Sequence, residues 1–109
     1  SFPPPDPAVF GLQDADYEWV KRRQTPHPGH TYEAALDFDP ARVARVPRTF
    51  INCTQPALAT IDAIRPRVRD ARFWDGAWLP GSRIVELATG HDPMLSERAA
   101  MTRLLLELA

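Results

Sequence analysis

The strongest structural signal in this chain is the stretch Ile84-Val85-Glu86-Leu87-Ala88-Thr89-Gly90-His91-Asp92-Pro93-Met94-Leu95-Ser96. It predicts a short buried strand from Arg83 to Ala88, followed by a tight turn with a single histidine. Ser96 is a good N-cap for a final helix, whose apolar residues recur at helical spacing. A loop histidine just past a strand end keeps its imidazole exposed between two rigid elements, as general-base chemistry requires. His91 is therefore the candidate catalytic residue.

A second strand precedes this stretch. Residues 48–54, Arg48-Thr49-Phe50-Ile51-Asn52-Cys53-Thr54, combine β-branched and aromatic side chains between two prolines. Ala57 to Asp70 predicts a helix that Pro66 interrupts or kinks. Residues 55–82 are long enough to hold a crossover helix, so we expect the two strands to be parallel neighbours. A parallel sheet needs helices on both faces, which this chain alone cannot supply. The sequence therefore predicts an α/β fold that is incomplete without further strands.

The N-terminal part reads as irregular structure with short helices. Prolines make residues 1–11 extended and loop-like. A helix is expected from Asp14, capped by Asp14 or Asp16, to about Arg23, and another after Asp39-Pro40. The proline-rich turn at 25–30 lies between them. We divide the chain into residues 1–46 and residues 47–109.

Composition excludes several classes of protein. The 109 residues are 44% hydrophobic and 25% charged, with a net charge of -1, which gives no support to nucleic-acid or anionic-membrane binding. No run approaches 18 apolar residues, and the N-terminus lacks the features of a signal peptide. The single cysteine, Cys53, excludes an internal disulfide framework, so a cytoplasmic location is the default.

Residues 48–109 resemble the C-terminal part of α/β-hydrolases, specifically the plant methyl-esterase and hydroxynitrile-lyase group and its bacterial relatives. The matching elements are residues 48–54, the stretch Glu86-Leu87-Ala88-Thr89-Gly90-His91-Asp92-Pro93-Met94-Leu95-Ser96 and the leucine-rich final helix. Residues 1–46 look like the end of a helical cap, on the pattern of Trp19, Arg23 and Thr25-Pro26-His27-Pro28. The nucleophile elbow and oxyanion loop of that family have no counterpart here.

The resemblance implies hydrolysis of a small carboxylic ester, with His91 as the base of the catalytic triad. A companion N-terminal α/β-hydrolase portion, on a separate chain, would carry the serine. Trp19 and His27, in the cap, would contact substrate. The resemblance implies no metal and no organic cofactor, and it leaves a lyase reaction open.

One departure concerns the triad acid. In the plant esterases an aspartate follows the Cys-Thr-x segment, whereas Pro56 follows Cys53-Thr54-Gln55 here. The acid then lies on an earlier strand outside this chain, or Asp62 supplies it. A non-catalytic relative that has lost its acid and serves as a binding module is the alternative function. A self-sufficient small α/β protein that completes its sheet as a homodimer is a third reading.

The remaining candidates have structural readings beside their functional ones. Cys53 could be a nucleophile or inert packing, and His27 and His30 could bind a metal or simply form a turn. The aromatic residues Phe73, Trp74 and Trp78 could form a binding patch or cover the sheet. The basic residues Arg65, Arg67, Arg69 and Arg72 could form a binding patch or a solvated face. Ser1 could become the N-terminus through self-cleavage of a precursor or through ordinary proteolytic processing. Asp92 is expected to fix the loop or the helix start.

Overall fold

The fold is of mixed α/β class, built on a two-stranded parallel sheet. A computed structural model describes residues 1–55 and 58–109. Strand β1 spans Thr49–Cys53 and strand β2 spans Arg83–Leu87, paired in register from Thr49↔Arg83 to Cys53↔Leu87. Both predicted strands and their parallel pairing are confirmed.

Short helices form most of the remaining regular structure. The α-helices are α1 (Asp14–Lys21), α2 (Pro40–Val43), α3 (Ala59–Asp62), α4 (Pro93–Ser96) and α5 (Arg98–Leu108). Single 3-10 turns lie at Pro7–Phe10, Gly29–Tyr32, Arg65–Arg67 and Ala71–Trp74. The predicted helix after Asp39 is confirmed as α2, where the Asp39 carboxylate accepts from the Ala41 N–H at 2.9 Å. No helix in residues 1–55 or 58–109 has the length and apolarity needed to cross a membrane.

The crossover helix is much shorter than predicted. In place of a helix from 57 to 70, α3 makes about one turn and a 3-10 turn follows at Arg65–Arg67. Pro66 has no backbone N–H and its ring crowds the preceding turn, so an α-helix cannot continue through it. Ala57, the predicted first residue, lies outside the described residues.

The predicted N-cap at Ser96 is wrong. Pro93 begins α4, where its fixed φ suits the first helical turn, and α5 starts separately at Arg98 after Glu97. Ser96 ends α4, and its hydroxyl lies 2.6 Å from the hydroxyl of the buried Thr89. Serine here therefore ties the histidine loop to α4.

Two details of the N-terminal part are also corrected. Helix α1 starts as predicted, but Gln13 occupies the cap position, and neither Asp14 nor Asp16 caps it. Residues 1–11 are not wholly extended, because Pro7–Phe10 forms a 3-10 turn capped by the Asp6 carboxylate. Proline is favourable at a helix start, so Pro7 helps to form the turn that it was expected to prevent.

The chain buries little apolar surface for its size. Among the described residues, its buried hydrophobic core consists of Leu12, Val68 and Leu104. The accessible surface is 8109 Å², whereas a monomer of this mass is expected to expose about 6,100 Å². The radius of gyration is 16.2 Å, against about 13 Å for a compact domain of this length. The chain is therefore less compact than a typical monomeric domain of this length.

Candidate functional site

A cleft of about 280 Å³ runs along β1 to the loops at the carboxyl end of the sheet, and His91 lines it. Most of the lining is apolar. The lining residues are Phe50, Ile51, Asn52, Cys53, Leu58, Ile61, Arg65, His91, Pro93 and Met94. The loops after the two strands are bonded to each other here, since Gln55 N–H donates to the Thr89 carbonyl at 3.0 Å. In open α/β sheets, ligands bind in crevices outside the carboxyl ends of the strands. The cleft is therefore the candidate site.

The N-terminal segment holds the histidine loop in place. The His91 N–H donates to the Phe10 carbonyl at 3.1 Å, and the two side-chain rings are stacked with centroids 6.0 Å apart. Gly90 is buried against the same backbone, and a Cβ there would overlap the Phe10 carbonyl oxygen. Glycine is thus required at position 90 by close approach of two backbone segments. Sequence reasoning treated Gly90 only as part of a turn and missed Phe10 altogether.

The start of α4 is fixed by the main chain of Asp92. Its carbonyl accepts from the Leu95 N–H at 3.0 Å and from the Ser96 N–H at 3.2 Å. The Asp92 side chain makes no capping hydrogen bond. Asp92 therefore fixes the helix start through its backbone, and its carboxylate lies near enough to Cys53 to act on that thiol.

Cys53 ends β1 and lines the cleft. Burial raises the pKa of its thiol above the ordinary value, Arg65 opposes part of this increase, and the Asp92 carboxylate adds a still smaller increase. A raised pKa keeps the sulfur protonated at neutral pH, whereas a nucleophilic cysteine needs the thiolate. This environment favours packing over nucleophilic chemistry.

Asp62 forms an ion pair with Arg65. Its carboxylate lies 2.5 Å from Arg65 Nη1, and Arg65 Nε donates to Oδ1 of the buried Asn52 at 3.2 Å. Asp62 lines a second, more polar pocket, and His91 is not among the residues lining that pocket. Among residues 1–55 and 58–109, no carboxylate forms an ion pair with His91. Pro56 lies outside the described residues.

Trp19 and His27 do not line the cleft. Trp19 is 44% exposed on α1, with the Arg23 guanidinium 4.1 Å above its ring. His27 is exposed, with Nε2 2.5 Å from Thr31 Oγ1, and its backbone pairs with Phe2 in an antiparallel bridge. The structure therefore does not bring the two predicted substrate-contacting residues to His91 within this chain.

The other candidates have structural partners. Trp74 packs between Phe50 and Trp78 and donates Nε1–H to the Val68 carbonyl at 2.8 Å. Four arginines of the basic cluster are engaged: Arg65 with Asp62, Arg69 with Glu86, Arg72 with Asp70 and Arg67 over the Phe73 ring. In the part of the chain that the structure describes, no three metal-ligating side chains come together. Paired charges and stacked rings favour packing and surface roles for these residues.

Comparison of the chain with protein-family models, with curated proteins and with solved structures finds no match. The case for function therefore depends on the geometry around His91.

Proposed function

We propose that this chain is the C-terminal portion of a serine α/β-hydrolase that acts on carboxylic esters. The observation that carries the proposal is the position of His91 on the loop after β2, exposed at the rim of a largely apolar cleft at the carboxyl end of a parallel sheet. An apolar cleft with one proton-accepting side chain suits the acyl or aryl part of a small ester. No metal and no organic cofactor enter the proposal.

The chemistry needs a nucleophile from the companion portion. A companion serine attacks the ester carbonyl carbon while His91 accepts the hydroxyl proton. The carbon–alkoxide bond then breaks, and the imidazolium returns that proton to the leaving alcohol. Water repeats the sequence on the acyl-enzyme and releases the acid. Backbone N–H groups of the companion hold the oxyanion.

The acid that orients the imidazole is assigned to the companion portion as well. Asp62 is engaged by Arg65, and the Phe10 backbone already fixes the main chain of His91. A carboxylate from an earlier strand of the completed sheet then sets the tautomer of the ring.

The first experiment is denaturing mass spectrometry of the natively purified protein, followed by labelling with a fluorophosphonate probe. A companion polypeptide with a labelled serine is expected. In that assembly His91→Ala should lower hydrolysis of p-nitrophenyl acetate by about 10³-fold or more. His30→Ala is the matched control, because His30 is an exposed histidine outside the cleft, and it should leave the rate unchanged. Full activity after His91→Ala would refute the assignment.

A non-catalytic binding module is the second candidate function. It is favoured by Pro56 at the family's acid position and by the absence of a carboxylate partner for His91 among the described residues. Under this reading a companion with an intact nucleophile elbow would resist the fluorophosphonate probe. Labelling that depends on His91 would exclude it.

A further inference from the structure

We propose that Arg65 determines the specificity of the cleft by binding the carboxylate of a small, otherwise apolar ligand. For the proposed reaction, the substrate is then an ester whose acyl chain ends in a free carboxylate. This substrate class rests on the proposed function, whereas the binding of a carboxylate at Arg65 rests on this chain alone.

Arg65 supplies the positive charge of the cleft. It is the one arginine or lysine among the described lining residues, and no aspartate or glutamate is among them. Its ion-pair partner, Asp62, lines the second pocket instead. A cation between low-dielectric walls attracts an anion more strongly than it does in open solvent. A ligand with an apolar chain and one anionic end therefore matches both parts of the lining.

The guanidinium of Arg65 is partly enclosed by the protein. Its side chain is 18% exposed, whereas that of Arg69, which also forms an ion pair, is 63% exposed. Water and salt screen an enclosed charge less than an exposed one. A carboxylate that reaches Arg65 therefore gains more from the contact than one that binds an arginine on the open surface.

Two hydrogen bonds fix the orientation of this guanidinium. Nε–H donates to Oδ1 of Asn52 at 3.2 Å, and Nη1 donates to the Asp62 carboxylate at 2.5 Å. Asn52 is buried within β1 and is therefore a rigid support. An arginine has five N–H groups, and Nη2 makes no hydrogen bond to residues 1–55 or 58–109. The ion pair with Asp62 thus leaves donors for a ligand, and they are oriented before the ligand binds.

The pKa of the Cys53 thiol shows which charge dominates at the wall of the cleft. Burial raises this pKa most, Arg65 lowers it, and Asp92 raises it by less than Arg65 lowers it. Cys53 lines the cleft, so the positive charge of Arg65 acts there more strongly than the negative charge of Asp92. A carboxylate in the cleft experiences the same attraction.

The size of the cleft limits the ligand. Its volume of about 280 Å³ lies just below the range of about 300–1,000 Å³ that is typical of small-molecule sites. Leu58, Ile61 and Met94 offer apolar contacts within it. The lining therefore suits a short aliphatic acid, and pentanoate is a suitable probe.

Binding of pentanoate and pentanamide to the natively purified protein tests the site without any need for hydrolysis. The two probes have nearly the same shape and differ in charge. In an NMR titration, pentanoate should bind with a Kd lower by about tenfold or more, because hydrogen bonds to charged groups are the stronger ones. The Nε–H resonance of Arg65 should shift, and that of Arg69 should not. Equal affinity, or a shift at Arg69 alone, overturns the proposal.

Three substitutions assign the preference for pentanoate to one arginine. Arg65→Gln removes the charge and should bring the two affinities within about twofold of each other, whereas Arg65→Lys keeps the charge and should retain a preference of about threefold or more. Arg69→Gln is the matched control, because it breaks a similar ion pair, with Glu86, and Arg69 does not line the cleft. It should leave the wild-type preference unchanged. A preference that survives Arg65→Gln, or that disappears in Arg69→Gln, overturns the assignment.

Hydrolysis separates this proposal from the proposed function. In the native assembly, kcat/KM for monomethyl glutarate should exceed that for the same ester with an amide in place of the carboxylate by about tenfold or more, mainly through KM. Arg65→Gln should abolish the difference. Equal kcat/KM for the two esters overturns the role of Arg65 and leaves ester hydrolysis intact. Binding of pentanoate that depends on Arg65, without hydrolysis of either ester, supports the carboxylate site and refutes the proposed function.

Discussion

The two parts of the N-terminal region have similar capped turns but differ in how much of their side chains they bury. We call residues 6–24 the docked segment and residues 30–47 the exposed segment. Each contains a proline-initiated turn capped by an aspartate, Asp6 in one and Asp39 in the other. Yet the docked segment buries Pro7 and Leu12, whereas every residue of the exposed segment is exposed.

The difference in burial comes from tertiary contacts. The docked segment presents the Phe10 carbonyl to the histidine loop, and its Asp16 carboxylate lies 2.7 Å from Arg98 of α5. The exposed segment leaves several large apolar side chains in solvent: Leu36, Phe38, Val43 and Val46. Capping forms a turn, but a turn contributes to a fold only where a complementary surface receives it. The exposed segment is thus where the proposed companion has most left to cover.

The largest expected effect separates two leucines of this region. Leu12 is 3% exposed and Leu36 is 85% exposed. Leu12→Ala should lower the free energy of unfolding by about 2–4 kcal/mol, because it leaves a cavity in a small core. Leu36→Ala should change it by less than about 0.5 kcal/mol. Urea denaturation of both variants measures the difference, and equal losses would mean that the exposed segment is packed.

The comparison also shows where sequence reasoning succeeds. β1 and β2 were predictable because β-branched residues and flanking prolines act locally, and the length of residues 55–82 indicated parallel pairing. The exposure of His91 on a loop followed from its place after β2. The shortness of α3 was in principle readable from Pro66, and the α4 start from Pro93. In both places the local proline signal outweighed the longer helical pattern.

The contact between Phe10 and His91 was beyond such reasoning. The two residues are far apart in sequence, and a single chain carries no pattern that pairs them. Only the glycine at position 90 hinted at a close backbone approach, and a turn explained it equally well. The acid that we propose to orient His91 has the same character, since no carboxylate among the described residues forms an ion pair with that ring.

The next largest effect is expected at Gly90. A substitution there tests directly whether the docked segment packs against the histidine loop. Gly90→Ala places a methyl group against the Phe10 carbonyl and should destabilise the protein by about 1–3 kcal/mol. Gly29→Ala is the control, since its added Cβ would lie 3.1 Å from the exposed Phe2 ring, which can move. Thermal unfolding of both variants checks this. If Gly90→Ala is as harmless as Gly29→Ala, the docked segment does not approach the histidine loop so closely.

A smaller effect is expected from the ion pair between α1 and α5. Arg98→Ala removes the contact with Asp16, but Arg98 is 67% exposed and solvent screens the interaction. The loss should stay below about 1 kcal/mol. Arg103→Ala, an exposed arginine on the same helix, should change stability by less than about 0.5 kcal/mol. A loss above 2 kcal/mol for Arg98→Ala in urea denaturation would mean that this pair, rather than apolar burial, holds the docked segment.

The smallest effect concerns the turn that starts the docked segment. The backbone N–H of Ala8 lowers the pKa of Asp6 most, and hydrogen bonds from Tyr17 and Lys21 lower it further. A carboxyl with a lowered pKa stabilises the folded state above its ordinary pKa of about 3.9, and this contribution disappears as pH falls through the lower, folded-state value. Protection of the Ala8 amide against hydrogen exchange should therefore fall below about pH 4. Asp6→Asn keeps an acceptor for that amide but cannot titrate, so its protection should not change with pH. A pH dependence that persists in Asp6→Asn would place the titrating group elsewhere and leave the cap without an electrostatic role.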